Sequence, residues 1–207
     1  MLFHGPPGTG KTSLIRILSK YFDRHIQYVK LSKIESFNEL IELFFGSEIK
    51  QKDCFGSLKK MMIIPPKEKI FIIEDVDREC KEVLLKKEVI EKDKKLYIPP
   101  MFNVSDLLQA FDGVFQDEGR ILIITTNNID SIDPVLLRPG RITIKLLLKE
   151  LTLENAYEMI NYYFKNETID YSRVKLKDFE ITPAKLENMC QRAESLEKLY
   201  SMIEDEK

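Results

Sequence analysis

Three cysteines, two histidines and no dominant sign of charge set the first limits on this 207-residue chain. Cys54, Cys80 and Cys190 are odd in number and far apart, with no CxxC pair. Neither a disulfide framework nor a zinc site is expected, and a reducing, intracellular, cytoplasmic setting fits better. His4 and His25 lack a ligand-spaced partner, so both read as ordinary histidines. Lys and Arg number 32 against 34 Asp and Glu, a net charge of −2. A surface that wraps nucleic acid would show as a basic excess, so no nucleic-acid partner is expected. No run of eighteen apolar residues is present, which excludes a transmembrane helix from this stretch, and no signal peptide, internal repeat or low-complexity tract is visible.

Hydrophobic residues make up 43% and aromatics 10%, ordinary for a chain that buries a sizeable core, and the length suits one full domain plus a small second one. Apolar segments alternate with amphipathic ones, the pattern of an α/β domain with a mostly parallel sheet. Candidate strands are Leu2–His4, Ile26–Leu31, Ile70–Ile73, Ile121–Thr125 and Ile142–Leu148. The third and fourth are near-continuous apolar runs, as expected of strands covered on both faces. Between them, Leu14, Ile15, Leu18 and Tyr21 share a helical face. Ser36 and Glu39 form a capping box opening a helix that Gly46 closes, and Val104, Leu107, Leu108 and Phe111 make a further stripe stopped by Gly113. From about Glu150 the pattern is all-helical: Leu153, Tyr157, Ile160 and Phe164 share one face. Thr182 and Pro183 read as cap and first residue of a helix carrying Leu186, Met189 and Cys190, and Leu196, Leu199, Tyr200 and Ile203 mark a last helix. The domains expected are 1–149 and 150–207. Residues Arg78–Lys95, dense in Lys and Glu, read as a solvated helix or inserted loop.

The strongest chemical signal is GPPGTGKT, Gly5 to Thr12, which fits G-x-x-x-x-G-K-[ST]. A chance match in a chain of this length is on the order of one in a hundred, and the strand before and helix after weigh against a plain Gly/Pro turn. The glycines let backbone N–H groups turn inward around phosphate oxygens, and the helix opening near Lys11 adds its positive dipole end. Lys11 would reach the β- and γ-phosphates, and the Thr12 hydroxyl would coordinate Mg²⁺. The second signal is IFIIEDVD, Ile70 to Asp77. An apolar strand ending in acids puts carboxylates at the sheet's C-terminal edge, where open α/β sheets bind ligands. One is needed for the Mg²⁺ shell and another for the attacking water. Alone, such acids usually just solvate a strand end; some sixty residues behind a phosphate loop, the functional reading wins. The third is ILIITTNNIDSIDPVLLRPGRI, Ile121 to Ile142. Asn127, at the end of a buried strand, suits a hydrogen bond to the γ-phosphate or its water. Arg138 and Arg141 flank a Pro-Gly turn, and planar guanidinium donors suit a phosphoryl oxygen gaining charge. Without the upstream motifs an ordinary surface turn is the better reading of that segment.

Taken in order, these motifs resemble the AAA family of ring ATPases over nearly the whole chain, with IDPVLLRPGR standing where that family has LDPALLRPGR. Within it, Glu74-Asp75-Val76-Asp77, SDLLQAFDGV and ITPAKLE (Ile181–Glu187) are most similar to the Bcs-type branch, mitochondrial chaperones that move the folded Rieske iron–sulfur protein across a membrane. The resemblance implies a P-loop NTPase with a five-stranded parallel sheet in the order 5-1-4-3-2 and a small C-terminal helical lid. It implies ATP and Mg²⁺ as cofactors, held by Gly5, Pro6, Pro7, Gly8, Thr9, Gly10, Lys11, Thr12 and Ser13, with Thr12 and Glu74 on the metal. Asp75 takes the catalytic acid's place, Asn127 that of sensor one, and Arg138 and Arg141 those of arginine fingers acting on a neighbouring subunit. A homo-oligomeric ring and a protein substrate follow, with no membrane segment in this chain.

Departures bear on those expectations. Met1 leads almost directly into the phosphate loop, which reads as a truncated gene model or a fragment of a longer chain, a membrane-anchored or mitochondrial parent among the alternatives. Thr143 stands where the family usually has Asp, and LSKIES replaces the aromatic–glycine pore loop of unfoldases. A non-hydrolysing nucleotide-gated scaffold or assembly factor is therefore the alternative, with a small-molecule P-loop kinase behind it.

Overall fold

The computed structural model describes residues 1–52, 58–81, 107, 119–138, 140–165, 167–174 and 181–205. It divides into two compact units: Met1–His4 with Ser13–Leu146, and Gly5–Thr12 with Leu147–Lys207.

The strands, in chain order, are β1 (Leu2–His4), β2 (His25–Tyr28), β3 (Glu48–Lys52), β4 (Leu58–Ile63), β5 (Lys69–Ile73), β6 (Ile121–Thr126) and β7 (Lys145–Leu147). Five of them form one sheet in the order β2-β5-β6-β1-β7, and β2 pairs with β5, β5 with β6 and β1 with β6 in parallel. Counting only these five, the order from the β7 side is fifth, first, fourth, third, second, as the resemblance implies. Every residue of β5 is buried, and Ile70, Phe71, Ile72 and Ile73 have no exposed surface. A strand covered on both faces has no polar side to show, hence its unbroken apolar run. Lys69 at its start is also buried; its ammonium donates to the Gly46 carbonyl (3.1 Å) and lies 5.9 Å from the Phe71 ring, and burial lowers its pKa.

Two helices are bounded here: α1 (Lys11–Tyr21) and α2 (Phe37–Phe45). Ile15 is buried, with Leu14 and Leu18 partly so, but Tyr21 is 79% exposed and Ile17 61%. The expected stripe thus loses its last member, because the chain turns away after Tyr21 through Asp23, whose φ is +51°. Ser36 accepts from the Glu39 N–H (3.2 Å), while the Glu39 carboxylate reaches back to the Glu35 N–H (2.9 Å) rather than to that of Ser36. Gly46 closes α2 with φ −73°. What demands glycine there is room, since a Cβ would lie 2.3 Å from the Glu42 carbonyl oxygen. Leu40 and Phe44 from α2 pack with Leu2, Phe71, Ile73 and Ile124 in the core, and Leu107 joins them. Val104, Leu108, Phe111 and Gly113 lie outside the described residues, as does most of Arg78–Lys95; residues 76–81 are helical.

Three differences from the sequence reading stand out. β3 and β4 form an antiparallel hairpin that no alternation in EIKQK or LKKMMI announces. β2 stops at Tyr28, and Leu31–Lys33 form a single 3-10 turn. The last strand is Lys145–Leu147 rather than Ile142–Leu148, because a turn closed by Arg141 N–H on the Arg138 carbonyl (3.2 Å) sends Ile142 into the core first.

In the second unit, α3 (Leu153–Tyr163), α4 (Pro183–Arg192) and α5 (Leu196–Glu204) share a core of Ala156, Ile160, Leu186, Met189, Leu199 and Ile203 among others. Thr152 and Ser195 cap α3 and α5 through their side chains; Thr182 heads α4 without a side-chain cap bond, with Pro183 in its first turn. Tyr200 accepts from the Asp170 N–H (2.8 Å), and Arg173 pairs with Glu197 (2.7 Å) over the Tyr200 ring.

Candidate active site

Gly5, Gly8 and Gly10 all have positive φ, at +140°, +80° and +92°, a conformation side chains resist. At Gly5 space forbids one as well: a Cβ would sit 1.9 Å from the Leu148 carbonyl oxygen. At Gly8 it would sit 2.9 Å from the Thr182 Oγ1, and the Ala184 N–H donates to the Gly8 carbonyl (3.1 Å). The first turn of α4 is therefore bonded to the loop within the second unit. Gly10 faces open space, with nothing within 4 Å of where a Cβ would be. Thr9 is buried and donates to the Pro6 carbonyl (2.8 Å).

Lys11 opens α1, is 8% exposed, and its ammonium donates to the carbonyls of Gly5 (2.7 Å) and Pro6 (2.8 Å). The loop thus curls around a buried cation, with two of its own carbonyls on the ammonium. The loop's inward curve, its open Gly10 and the helix start beside this cation fit the phosphates of a nucleotide. Pro7 and Ser13 are exposed; Pro6 and Thr12 are partly buried.

In the first unit, β5 runs out into Glu74 and Asp75, both half-buried. Asp75 has φ +47°, and its carbonyl accepts from the N–H groups of Arg78 (2.8 Å) and Glu79 (3.0 Å), so it heads the helix that opens at residue 76. Left-handed backbone at a residue other than glycine is uncommon and gathers at functional positions. Asn127, one residue past β6, donates from Nδ2 to the Asp75 Oδ1 (3.2 Å). The acid and the amide named from sequence thus meet. Thr125 and Thr126 were not singled out there. Thr125 Oγ1 accepts from the Asp75 N–H (3.1 Å), and Thr126 Oγ1 donates to the Asp77 Oδ1 (2.9 Å). Only their place beside Asn127 in a strand end hinted at them.

Among the described residues, no three His, Cys, Asp or Glu cluster to hold a metal. Mg²⁺ needs no such cluster, since it keeps several waters and takes one or two protein oxygens plus phosphate. Thr12 and Glu74 carry oxygens of that kind. Arg138 is exposed, and Arg141 is half-buried with its Nη1 donating to the Val135 carbonyl (2.5 Å). The guanidinium that the resemblance assigns to a neighbouring subunit's nucleotide bonds here to a carbonyl six residues before it.

A parallel sheet whose first strand passes directly into such a loop is the architecture of the P-loop nucleotide hydrolases. The chain belongs to the AAA family: the profile "ATPase family associated with various cellular activities (AAA)" matches residues 1–150. An AAA-ATPase of Arabidopsis thaliana is 26% identical over 210 residues, 98% of this chain and 42% of that protein. A putative AAA family ATPase of Acanthamoeba polyphaga mimivirus is 32% identical over 165 residues, 76% of this chain and 82% of that protein. The mitochondrial chaperone BCS1 of Homo sapiens is 30% identical over 144 residues, 70% of this chain and 30% of that protein. The chain thus spans less than half the length of the plant and human relatives. No described helix is long and apolar enough to cross a membrane.

Proposed function

We propose that this chain is an ATP-binding and ATP-hydrolysing AAA module that drives a chaperone, translocation or assembly activity as one subunit of a ring. The observation that carries the reading is Lys11, a buried ammonium at the start of α1 inside a loop of three positive-φ glycines. On binding, Lys11 trades the Gly5 and Pro6 carbonyls for phosphate oxygens, and charge-assisted contacts of that kind contribute about 1.5–3 kcal/mol each. Bound ATP–Mg²⁺ would supply a metal-activated phosphoanhydride, and Thr12 and Glu74 are the residues that would hold the ion. Asp75 accepts the proton of the attacking water, and Asn127 fixes the carboxylate through the bond to Oδ1. Arg138 and Arg141 serve a neighbouring subunit, for which Arg141 leaves the Val135 carbonyl. The chaperone role rests on the human and Dictyostelium discoideum relatives named as mitochondrial chaperones. A protein substrate follows from them, and the setting is that of the longer proteins they represent.

Lys11→Ala is expected to weaken nucleotide affinity about tenfold to a hundredfold in a titration; unchanged affinity refutes the loop's role. Asp75→Asn should bind ATP and fail to turn it over. Normal hydrolysis by Asp75→Asn beside an inactive Glu74→Gln would exchange the two acids' roles. Phosphate release measured with and without an acceptor separates a hydrolase from a kinase, and absence of release from a nucleotide-bound chain leaves the scaffold.

A further inference from the structure

β6 ends in two threonines that are almost wholly buried, Thr125 at 3% exposure and Thr126 at 0%. Buried hydroxyls need partners, and both find theirs on the segment after β5, some fifty residues away in sequence. Thr125 Oγ1 accepts the Asp75 N–H at 3.1 Å; Thr126 Oγ1 donates to the Asp77 carboxylate at 2.9 Å and itself accepts from the Asn128 N–H at 3.1 Å. The bonds fasten both sides of a single strained residue. Asp75 stands at φ +47° between them, and that value fixes which way its carboxylate leaves the backbone. Left-handed backbone persists only where its surroundings hold it. The Thr125 bond is the one that grips the Asp75 peptide itself.

We infer that Thr125 is a positioning residue: it holds Asp75 in the left-handed conformation that turns its carboxylate to Asn127, while Thr126 anchors the following turn through Asp77. The assignment rests on the reading of Asp75 as the acid of hydrolysis, and it gives Asp77 a structural role. A β-branched side chain suits it, because branching at Cβ fits a strand and stiffens χ1 around the single oxygen.

The test compares two substitutions in the full chain. Thr125→Val keeps the shape and removes the acceptor; Thr125→Ser keeps the acceptor and removes a methyl. Thr125→Val is expected to lower kcat about tenfold or more with nucleotide Kd within about twofold, and Thr125→Ser to keep kcat within about threefold. Amide hydrogen exchange at Asp75 should accelerate in Thr125→Val and stay near the unsubstituted rate in Thr125→Ser. A purely packing role predicts instead that Thr125→Ser, which loses volume, is the more damaged of the two. Unchanged exchange at Asp75 in Thr125→Val overturns the inference, and so does faster exchange with unchanged kcat. If the unsubstituted chain binds ATP without hydrolysing it, the hydrolase reading fails, and the exchange comparison still decides whether Thr125 holds Asp75.

Discussion

Cys80 sits half-buried, one residue past Glu79, and burial first, then the charges of Glu79, Asp133 and Asp77, push its thiol up from 9.0 to about 11. Cys190 is raised to about 11 as well, mainly by burial. The sign of the effect on stability follows. Below pH 9 both thiols are protonated in folded and unfolded chain alike, and the folded state loses nothing. Between pH 9 and about 11 the unfolded chain ionises first, so stability falls across that window, by up to about 2–3 kcal/mol for each thiol. Denaturation curves for Cys80→Ser should therefore show a shallower loss between pH 9 and 11 than the unsubstituted chain. An equally steep loss would mean that Cys80 titrates as a free thiol. Single residues are also where sequence is least informative. The loop's glycines and the burial of Lys11 were foreseeable because their conformation is local to one loop. The Thr125 oxygen under Asp75 was not, because that pairing is fixed by where the chain returns to itself fifty residues later.

Among the elements, the glycines of the loop and of the α2 end separate two reasons for the same residue. Gly5 needs both a positive φ and room, Gly46 needs room alone, and Gly10 needs only its φ. Gly10→Ala should cost about 1–2 kcal/mol, the usual expense of left-handed backbone with a Cβ. Gly46→Ala, meeting a carbonyl oxygen at 2.3 Å, should cost about 1–3 kcal/mol, and Gly5→Ala should exceed both. Denaturant midpoints would rank them, and a Gly5→Ala chain as stable as Gly10→Ala would contradict the close approach of Leu148. β5 and β6 were legible because burial on both faces writes itself as continuous apolar sequence, whereas the more exposed β2 and β7 were read too long. The β3–β4 hairpin was not legible, since five mostly polar residues facing LKKMMI carry neither a clean alternation nor a continuous run. Among the described residues helical periodicity found the helices but placed Tyr21 on the covered face; a stripe of spacing cannot know how far along a helix the covering sheet extends.

For the whole molecule, the proposed ring makes turnover a property of pairs. Lys11→Ala and Arg141→Ala should each be inactive alone, the first without nucleotide and the second with nucleotide bound. Mixing the two should restore part of the activity, because some junctions then join an intact loop to an intact arginine. Activity per chain should rise with concentration, and supplied arginine fingers are worth roughly 10³–10⁵ in rate. A monomer in sedimentation with concentration-independent turnover and no recovery on mixing would refute the ring. The loop that begins this chain shares its compact unit with residues 147–207. Synthesis therefore delivers Gly5–Thr12 well over a hundred residues before Leu148, Thr182 and Ala184, which shape that loop. At about 5–20 residues per second the newborn loop waits roughly ten to thirty seconds for its neighbours. The nascent sheet can pair β1 with β6 before then; the phosphate loop takes its finished shape only after the chain has been translated past Ala184.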